Sequence, residues 1–592
     1  MPYNTASIKT VQNGTNWTIR EGYESLLDKI DFDNFDSVLR EKPHKIIKET
    51  KVRSVISIPG GGVNDTGIYV KLFKGKNYSD YVKYLLLPTK TKTEWKVANK
   101  LLSEDINTTL PLAIAENKSW SLLKSDLLVT EAISNGKPLI EFCEANFKDM
   151  LSGKKIIEKK KLLNNLAKFI RNIHVKGFFH NDLHAGNLLI KFHNNHPIQE
   201  QSYTFYLMDL HHVRIFNKLS KRKKLYNLAQ IFNSLSSTLT KSDRLEFVKS
   251  YGIDALSNNN NEQDLTNQIE SISSRIRNIH YRSRLKRCLK ESSNFSNKKL
   301  GRLRIFFRKG YDTDSFLKLI EKHHIAIVNN DKNAILKRDS KTTLTRFPFK
   351  DKEIRSVVVK QYKTTCGLCL IKNIFRSSTG RKAWIAGNGL LVYGYNTAKP
   401  LALIEKKILG ITTDSYLIME DVTNSLEMDR YILKNFHNQS SPGELKKTRT
   451  FIADFAKTIA NMHNENVFHS DLKTCNIMVK EIEDKSYDFI FLDFDKVIFN
   501  DKISIHKRIN NLIQLNLSTP GCITYTDRFR FLTEYLSACL PERSSQSDNA
   551  QAGLKQCNII DEKKTILREI INISKTEKLL YVSSKGDVTE DW

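Results

Sequence analysis

Short apolar runs alternating with polar residues set the first pattern. SVISI (54–58), GIYVKLF (67–73) and DLLVTEAI (126–133) read as strands, as do SVVVKQY (356–362) and SYLIMED (415–421). Between the second and third of these, TEWKVANKLLSEDI (93–106) places its apolar residues at three- and four-residue spacing and predicts a helix. Two longer stretches, KKLLNNLAKFIRNIHVKG (160–177) and RTFIADFAKTIANMHNEN (449–466), carry the same helical period. The pattern predicts a β-rich portion followed by an α-rich portion, and then the same succession again.

The second half repeats the first in chemistry as well as in pattern, and such repeats decide architecture. GFFHNDLHAGNLLI (177–190) and NVFHSDLKTCNIMV (466–479) share F-H-x-D-L-x-x-x-N followed by an apolar run. Asp182 and Asp471 are 289 positions apart, as are Lys71 and Lys360. YLMDL at Asp209 pairs with FLDFD at Asp493; NLAQ (227–230) and NLIQ (511–514) each begin 18 residues beyond their aspartate, and SDRLEFVKSY (242–251) and TDRFRFLTEY (526–535) follow in the same order. We read a tandem duplication with domains 1–295 and 296–592 and a polar surface segment near 543–562.

The 592 residues suit two domains or more. A hydrophobic fraction of 40% excludes a wholly disordered or collagen-like chain. No apolar run reaches the ~18 residues of a membrane span, and MPYNTASIKT lacks the basic and apolar regions of a signal peptide. The expectation is a soluble, cytoplasmic chain. Its formal charge of +29 favours anionic partners. Thirteen Lys/Arg and one acid, Glu291, fall between Arg275 and Lys309, interleaved with Tyr281, Phe295, Phe306 and Phe307. An anionic membrane surface or a phosphorylated ligand fits this stretch better than nucleic acid, because no RNA- or DNA-binding motif accompanies it.

The repeated motifs carry a specific chemistry. Phosphoryl transfer from ATP needs a lysine against the nucleotide phosphates, oxygen ligands for Mg²⁺ and a carboxylate that orients or deprotonates the attacking hydroxyl. Lys71, Asp182, Asn187 and Asp209 supply that set in the first repeat; Lys360, Asp471, Asn476 and Asp493 supply it in the second. In each, the lysine precedes the loop aspartate by 111 residues.

With these residues in register, both halves resemble the protein-kinase-like fold, and the details are similar to the lipopolysaccharide kinase family of Kdo and core-heptose kinases. D-L-H-x-G-N (182–187) is the small-molecule-kinase form; RKAWIAGNGL (381–390), PLALIE (400–405), N-L-x-Q, D-R-x-x-F and YRSRLKRCLKESSNF (281–295) resemble the lipopolysaccharide branch. The resemblance covers roughly 45–290 and 330–540. It implies an α+β fold of two tandem bilobal kinase-like domains, each with a β-rich N-lobe and an α-rich C-lobe. ATP and Mg²⁺ would be the cofactors, and the acceptor a sugar hydroxyl of lipopolysaccharide or a related glycolipid, reached peripherally at the inner face of the cytoplasmic membrane. Asp182 and Asp471 would be catalytic. Asn187, Asp209, Asn476 and Asp493 would hold metal. Lys71, Glu94, Glu131, Lys360, Glu420 and Lys473 would serve the nucleotide, Glu131 and Glu420 as hinge residues whose backbone holds adenine.

Some positions depart from this pattern. Gly60–Gly62 and Gly67 fit a phosphate-covering loop or a plain hairpin turn, and the second repeat lacks glycines between Lys337 and Lys360. Glu94, the helix partner expected for Lys71, is matched by Ala383, which predicts a less firmly held Lys360 and a less active second half. Neither half has D-F-G. His180 and His469 are expected to brace the loop, His211–His212 to be packed side chains, and Cys366–Cys369 a surface turn. A protein Ser/Thr kinase, suggested by Lys473 two residues after Asp471, and a nucleotide-binding pseudokinase scaffold are the alternatives.

Overall fold

The computed structural model describes residues 6–12, 14–30, 45–50, 53–59, 67–74, 84, 87–119, 122–148, 152–193, 203–252, 254, 261–351, 354–363, 377–408, 411–437, 441–482, 486–499, 502–539, 566–569, 572, 580–582 and 588–591. Gly60–Gly62, Cys366–Cys369 and the 543–562 segment lie outside them. Helix and sheet are mixed throughout, and the chain divides into two compact units, Met1–Arg277 and Asn278–Trp592.

The first unit opens with seven strands, β1 (Ser7–Gln12), β2 (Thr15–Arg20), β3 (Lys45–Thr50), β4 (Arg53–Ile58), β5 (Ile68–Lys74), β6 (Pro111–Ser119) and β7 (Leu122–Glu131). They form one antiparallel sheet in the order β1-β2-β6-β7-β5-β4-β3. The second unit has β8 (Phe295–Leu300), β9 (Leu303–Arg308), β10 (Ile335–Arg338), β11 (Thr342–Asp351), β12 (Ile354–Lys363), β13 (Pro400–Ile408) and β14 (Ile411–Glu420). Their order, β8-β9-β13-β14-β12-β11-β10, matches the first sheet strand for strand.

Side chains alternate across a strand, and this alternation aims the lysines. Ile68, Val70 and Leu72 of β5 face one core with Trp17, Ile56 and Leu127, so Lys71 points to the other face. On β12, Val357 and Val359 share a core with Phe316 and Leu319, while Val358 and Tyr362 join a different one; Lys360 lies on the Val358 face. Helices α1 (Lys90–Ser103) and α5 (Thr379–Val392) cover those faces, each N-capped by a hydroxyl that also donates to a buried strand carboxylate. Thr89 Oγ1 bonds Glu116 at 3.0 Å, and Ser378 Oγ bonds Glu405 at 2.7 Å.

The α-rich portions are built on α2 (Gly153–Val175), α3 (Lys221–Ser234) and α4 (Lys241–Tyr251), and on α6 (Pro442–Asn464), α7 (Ile505–Ser518) and α8 (Tyr525–Cys539). Leu162, Leu163, Leu166, Ala167, Ile170 and Ile173 form the buried stripe of α2, the three-and-four spacing that buries one face of a helix. The D-R-x-x-F aspartates are capping groups: Thr240 and Asp243 form a reciprocal capping box on α4, and Asp243 also pairs with buried Lys159 at 2.6 Å.

The unit boundary falls before the 295/296 division expected, because residues from Tyr281 onward belong to the second unit's core. Tyr281 packs against Tyr393 with tilted rings (4.1 Å between centroids), Trp384 Nε1 donates to Cys288 O (2.9 Å), and Phe295 packs edge-on to Trp384. Phe306 is 1% exposed. The aromatics of the basic stretch therefore build a core, while Arg282, Arg284, Lys286 and Arg287 are exposed. Arg308 is structural: it donates to Pro400 O (2.7 Å) and Asn388 Oδ1 (2.6 Å), as Arg20 donates to Pro111 O (2.9 Å) and Asn99 Oδ1. No helix among the described residues is long and apolar enough to cross a membrane.

Candidate active site

A left-handed turn precedes each loop motif. Gly177 has φ +81, and an added Cβ would lie 1.9 Å from Phe216 O; the second unit has Asn466 there, with φ 63. Asn is the residue after glycine that tolerates this conformation, and Asn466 Oδ1 also accepts from Ile503 N (3.1 Å). The chain then forms the short strands Phe178–His180 and Val467–His469 and enters the loop.

His180 is 1% exposed, its Nε2 donates to Met208 O (3.0 Å) and its Nδ1 accepts from Asp182 N (3.1 Å). Both ring nitrogens are thereby committed in the neutral tautomer, and burial pushes the pKa down to about 4. His469 does the same with Leu492 O (2.8 Å) and Asp471 N (3.2 Å), and burial lowers its pKa as well. The histidines brace the loop, and with both nitrogens of each ring taken by backbone groups neither has one left for proton relay. Asn187 Nδ2 donates to Asp182 O (2.8 Å) and Asn476 Nδ2 to Asp471 O (2.9 Å), so the atom each asparagine can offer a metal is its oxygen. Gly186 has a steric reason: a Cβ there would lie 2.9 Å from the His184 ring.

The N-L-x-Q motifs hold both loops in place, a role their recurrence alone did not reveal. Asn227 Nδ2 donates to His180 O (2.6 Å); Gln230 Oε1 accepts from Leu183 N (3.1 Å) and Gln230 Nε2 donates to Asn181 O (2.7 Å). Ser234 Oγ accepts from Ala185 N (2.9 Å). Behind them, buried His174 bridges Asn227 Oδ1 (3.1 Å) and Tyr251 Oη (2.9 Å). The second unit repeats each contact with Asn511, Gln514, Ser518, His463 and Tyr535.

In the first unit, Lys71 Nζ meets Glu94 Oε2 at 2.9 Å, with both residues buried. His211 Nδ1 lies 2.9 Å from Glu94 Oε1 and 3.3 Å from Asp209 Oδ1, so it joins the two carboxylates. Arg53 reaches Asp209 Oδ1 at 3.4 Å. Burial alone would raise both carboxyl pKa values. The cations outweigh it, Lys71 and His211 at Glu94 and His211, Arg53 and Lys71 at Asp209, and hold both below the ordinary range. Burial opposes the His211 charge, yet its bonds to Asp209 and Glu94 raise its pKa. Asp209 adopts φ 57, and Asp493 φ 47, a left-handed strain that aims each carboxylate inward from the end of its strand.

The second unit assembles the same parts with different partners. With Ala383 in place of Glu94, Lys360 Nζ pairs with Asp493 Oδ1 (2.7 Å) and Asp495 Oδ1 (3.5 Å). Burial works against the Lys360 charge, but the Tyr362 ring 5.2 Å away and the two carboxylates raise its pKa. Where the helix glutamate is missing, Lys360 meets Asp493 at close range and Asp495 further off. Lys496 Nζ (2.8 Å) and Lys473 Nζ (3.5 Å) flank Asp471; burial would raise that carboxyl and the lysines hold it below its usual value. In the first unit, His184 Nε2 approaches Asp182 at 3.6 Å.

Two nucleotide-site expectations change in detail. Ile58 pairs with Ile68 beside Glu131, and Ala132 N donates to Gly67 O (2.8 Å), so the described ends of the glycine segment lie at the far end of the sheet from Arg53 and Asp209. The β3–β4 turn, where Arg53 N donates to Thr50 Oγ1 (3.1 Å), is the turn that reaches Asp209. At the strand ends, Glu131 N donates to Leu110 O (2.9 Å) and Glu420 N to Lys399 O (3.0 Å), so both amides are already committed to protein carbonyls.

The donor set suits a hard cation: each unit presents an asparagine oxygen and an aspartate carboxylate, the ligands Mg²⁺ takes alongside phosphate. Among the described residues, Asp209, His211 and His212 also place ligand atoms within 4.8 Å of one another, but His211 Nδ1 is already committed to Glu94 and Asp209.

Residues 38–251 and 369–535 match the model of the lipopolysaccharide kinase (Kdo/WaaP) family. A lipopolysaccharide core heptose(I) kinase WaaP of Escherichia coli is 22% identical over 240 residues, 39% of this chain and 87% of that protein. Its namesake from strain K12 is 25% identical over 206 residues, 33% of this chain and 76% of that protein. The solved structure of WaaP in complex with acyl carrier protein aligns with 44% of this chain and 98% of its own, at 19% identity and a TM-score of 0.34.

Proposed function

The chain belongs to the lipopolysaccharide kinase (Kdo/WaaP) family and is a kinase, and from that premise we propose that it uses ATP and Mg²⁺ to phosphorylate a sugar hydroxyl of a lipopolysaccharide core or related glycolipid, through two kinase-like domains that arose by tandem duplication. The observation that carries this reading is the buried Lys71–Glu94 pair joined through His211 to Asp209, on the same unit as the Asp182–Asn187 loop. Equal strand order in the two sheets supports the duplication.

The residues divide the work as follows. Lys71 and Lys360 meet nucleotide phosphate from the sheet. Asn187 and Asp209, and in the second domain Asn476 and Asp493, would hold the metal, which would supply neutralisation of phosphate charge. Asp182 and Asp471 accept a hydrogen bond from the sugar hydroxyl and take its proton as the new P–O bond forms and the bond from the γ-phosphorus to the bridging oxygen breaks, ADP leaving with that electron pair. Glu94 keeps Lys71 in place, and the strand ends at Glu131 and Glu420 face the adenine. Lys473, 3.5 Å from Asp471, would meet the transferring phosphate and favours a protein acceptor for the second domain.

Asp182→Asn and Asp471→Asn preserve the loop's shape and remove the carboxylates. The double variant, given labelled ATP and lipopolysaccharide fractions beside delipidated proteins, is expected to lose transfer by about 10²-fold or more. Wild-type transfer in that variant would refute the assignment, and labelling of the proteins alone would favour the protein-kinase reading.

A further inference from the structure

The two units hold their site lysines with carboxylates drawn from different places. On α1 the partner is Glu94; on α5 the matching position is Ala383, 0% exposed. What approaches Lys360 comes from the turn Asp493-Phe494-Asp495, where Asp495 takes the position that His211 holds in the first unit. Helix α5 is shaped for that approach. Gly387, one turn beyond Ala383, has no side chain, and an added Cβ would lie 2.7 Å from the Phe494 ring and 2.6 Å from Pro400. Phe494 is 3% exposed, seated against the helix by that gap. Ala383 in place of a helix glutamate, the seat for Phe494 at Gly387 and Asp495 beside Lys360 occur together in the second unit.

The 2.7 Å contact between Lys360 and Asp493 cannot be the lasting one if Asp493 turns its carboxylate to a metal. Asp495, 3.5 Å from the same ammonium and 16% exposed at its side chain, then remains to keep the lysine extended. Resting on the reading of the second unit as a nucleotide site, we propose that Asp495 is the positioning residue for Lys360, replacing the helix carboxylate, and that it frees Asp493 for metal while Lys360 meets phosphate. It acts through Lys360 and does not touch the reacting atoms.

The test uses the full-length chain carrying Lys71→Met, so that nucleotide binding reports the second unit, with a fluorescent ADP analogue titrated with and without Mg²⁺. Lys360→Met and Asp495→Asn are both expected to weaken binding roughly tenfold or more, with the Asp495→Asn loss larger when Mg²⁺ is present, at a melting temperature close to the parent. Adding Ala383→Glu to Asp495→Asn rebuilds the first unit's arrangement and is expected to recover most of the lost affinity; a merely structural role for Asp495 would show no such rescue. Binding within twofold of the parent in Asp495→Asn while Lys360→Met fails overturns the proposal. So does absence of rescue by Ala383→Glu in a variant that melts normally. If Lys360→Met itself binds normally, the reading of the second unit as a nucleotide site falls, and the role of Asp495 with it.

Discussion

Asn227 Nδ2 donates to the carbonyl oxygen of His180 at 2.6 Å, linking α3 to the residue that leads into the Asp182–Asn187 loop. The same amide group receives His174 on its oxygen, so one side chain satisfies a backbone carbonyl and a buried imidazole together. Asn227→Ala strands both, and a buried unsatisfied group costs about 1–3 kcal/mol. Denaturant unfolding should show a loss of that size, and kcat should fall because the loop is no longer fixed. Asn511→Ala should do likewise through His469. Unchanged kcat in both would mean the loop holds its shape without α3 and α7.

Acid sensitivity follows from the buried imidazoles. Burial pushes His174, His180, His323 and His463 down to about 4. An unfolded chain takes up these protons near pH 6.5, whereas the folded one does not until about pH 4, so stability is full above 6.5 and falls as pH drops through that window. Each group contributes up to about 3 kcal/mol, enough for acid unfolding well before pH 4. Circular dichroism across pH 7 to 4 measures it, and His323→Gln should move the midpoint downward. His323 bonds only Thr345 and Gln361 among the contacts described, remote from the loops.

His211 has the opposite sign. Its bonds to Asp209 and Glu94 raise its pKa, so its contribution is present below the unfolded value near 6.5 and is lost as pH rises through the higher folded one. His211→Gln should flatten the alkaline side of the first unit's stability profile. A profile identical to the wild type would remove His211 from the charge cluster.

Gly177→Ala sets a Cβ against Phe216 O in a left-handed turn, and about 3 kcal/mol of destabilisation is expected. Asn466→Gly relieves a strained φ at the matching place while losing one side-chain bond, and should shift stability by about 1 kcal/mol or less. Differential scanning calorimetry of both substitutions compares the two turns directly.

Peripheral attachment to an anionic leaflet would draw on Arg282, Arg284, Lys286 and Arg287, each contributing about 1 kcal/mol near the surface. Sedimentation with anionic vesicles should fall steeply with added salt, as screening over roughly 8 Å requires, and should fall again when all four become Ser. Retention by that variant would move the contact elsewhere on the chain.

The lysines, loop aspartates, asparagines and strand-end aspartates were readable because each is tied to a neighbouring motif at a spacing that recurs. Glu94 was readable only through the resemblance to the kinase-like fold, which expects a helix glutamate for the strand lysine. The groups that hold the loops were not, since His174, Asn227, Gln230 and Tyr251 are ordinary residues brought together by tertiary packing; their recurrence marked them without saying why. Asp495 was passed over as a variation after Asp493, because spacing alone does not show which side chain reaches Lys360 once Glu94 becomes Ala383. The division of the compact units at 277/278 was not readable, because Tyr281, Phe295 and Phe306 look like companions of the basic residues in the sequence and show themselves as core side chains only once packed against Trp384. Gly60–Gly62 drew attention by composition, whereas the register of β4 and β5 puts the ends of that segment beside Glu131 and sends Arg53 to Asp209.

The polar clamp on each loop also sets an order in time. His180 finds its carbonyl partner 47 residues later in the chain, at Asn227, and His469 finds its partner 42 residues later, at Asn511. Synthesis proceeds at about 5–20 residues per second, so each nascent loop waits roughly two to ten seconds before the helix that fixes it exists. During that interval the loop's buried backbone groups have water or a chaperone for partners. A ribosome pausing between a loop and its helix would lengthen the exposure, and one that stalls before Asn227 would release a chain holding Lys71, Asp182, Asn187 and Asp209 with the loop unpinned.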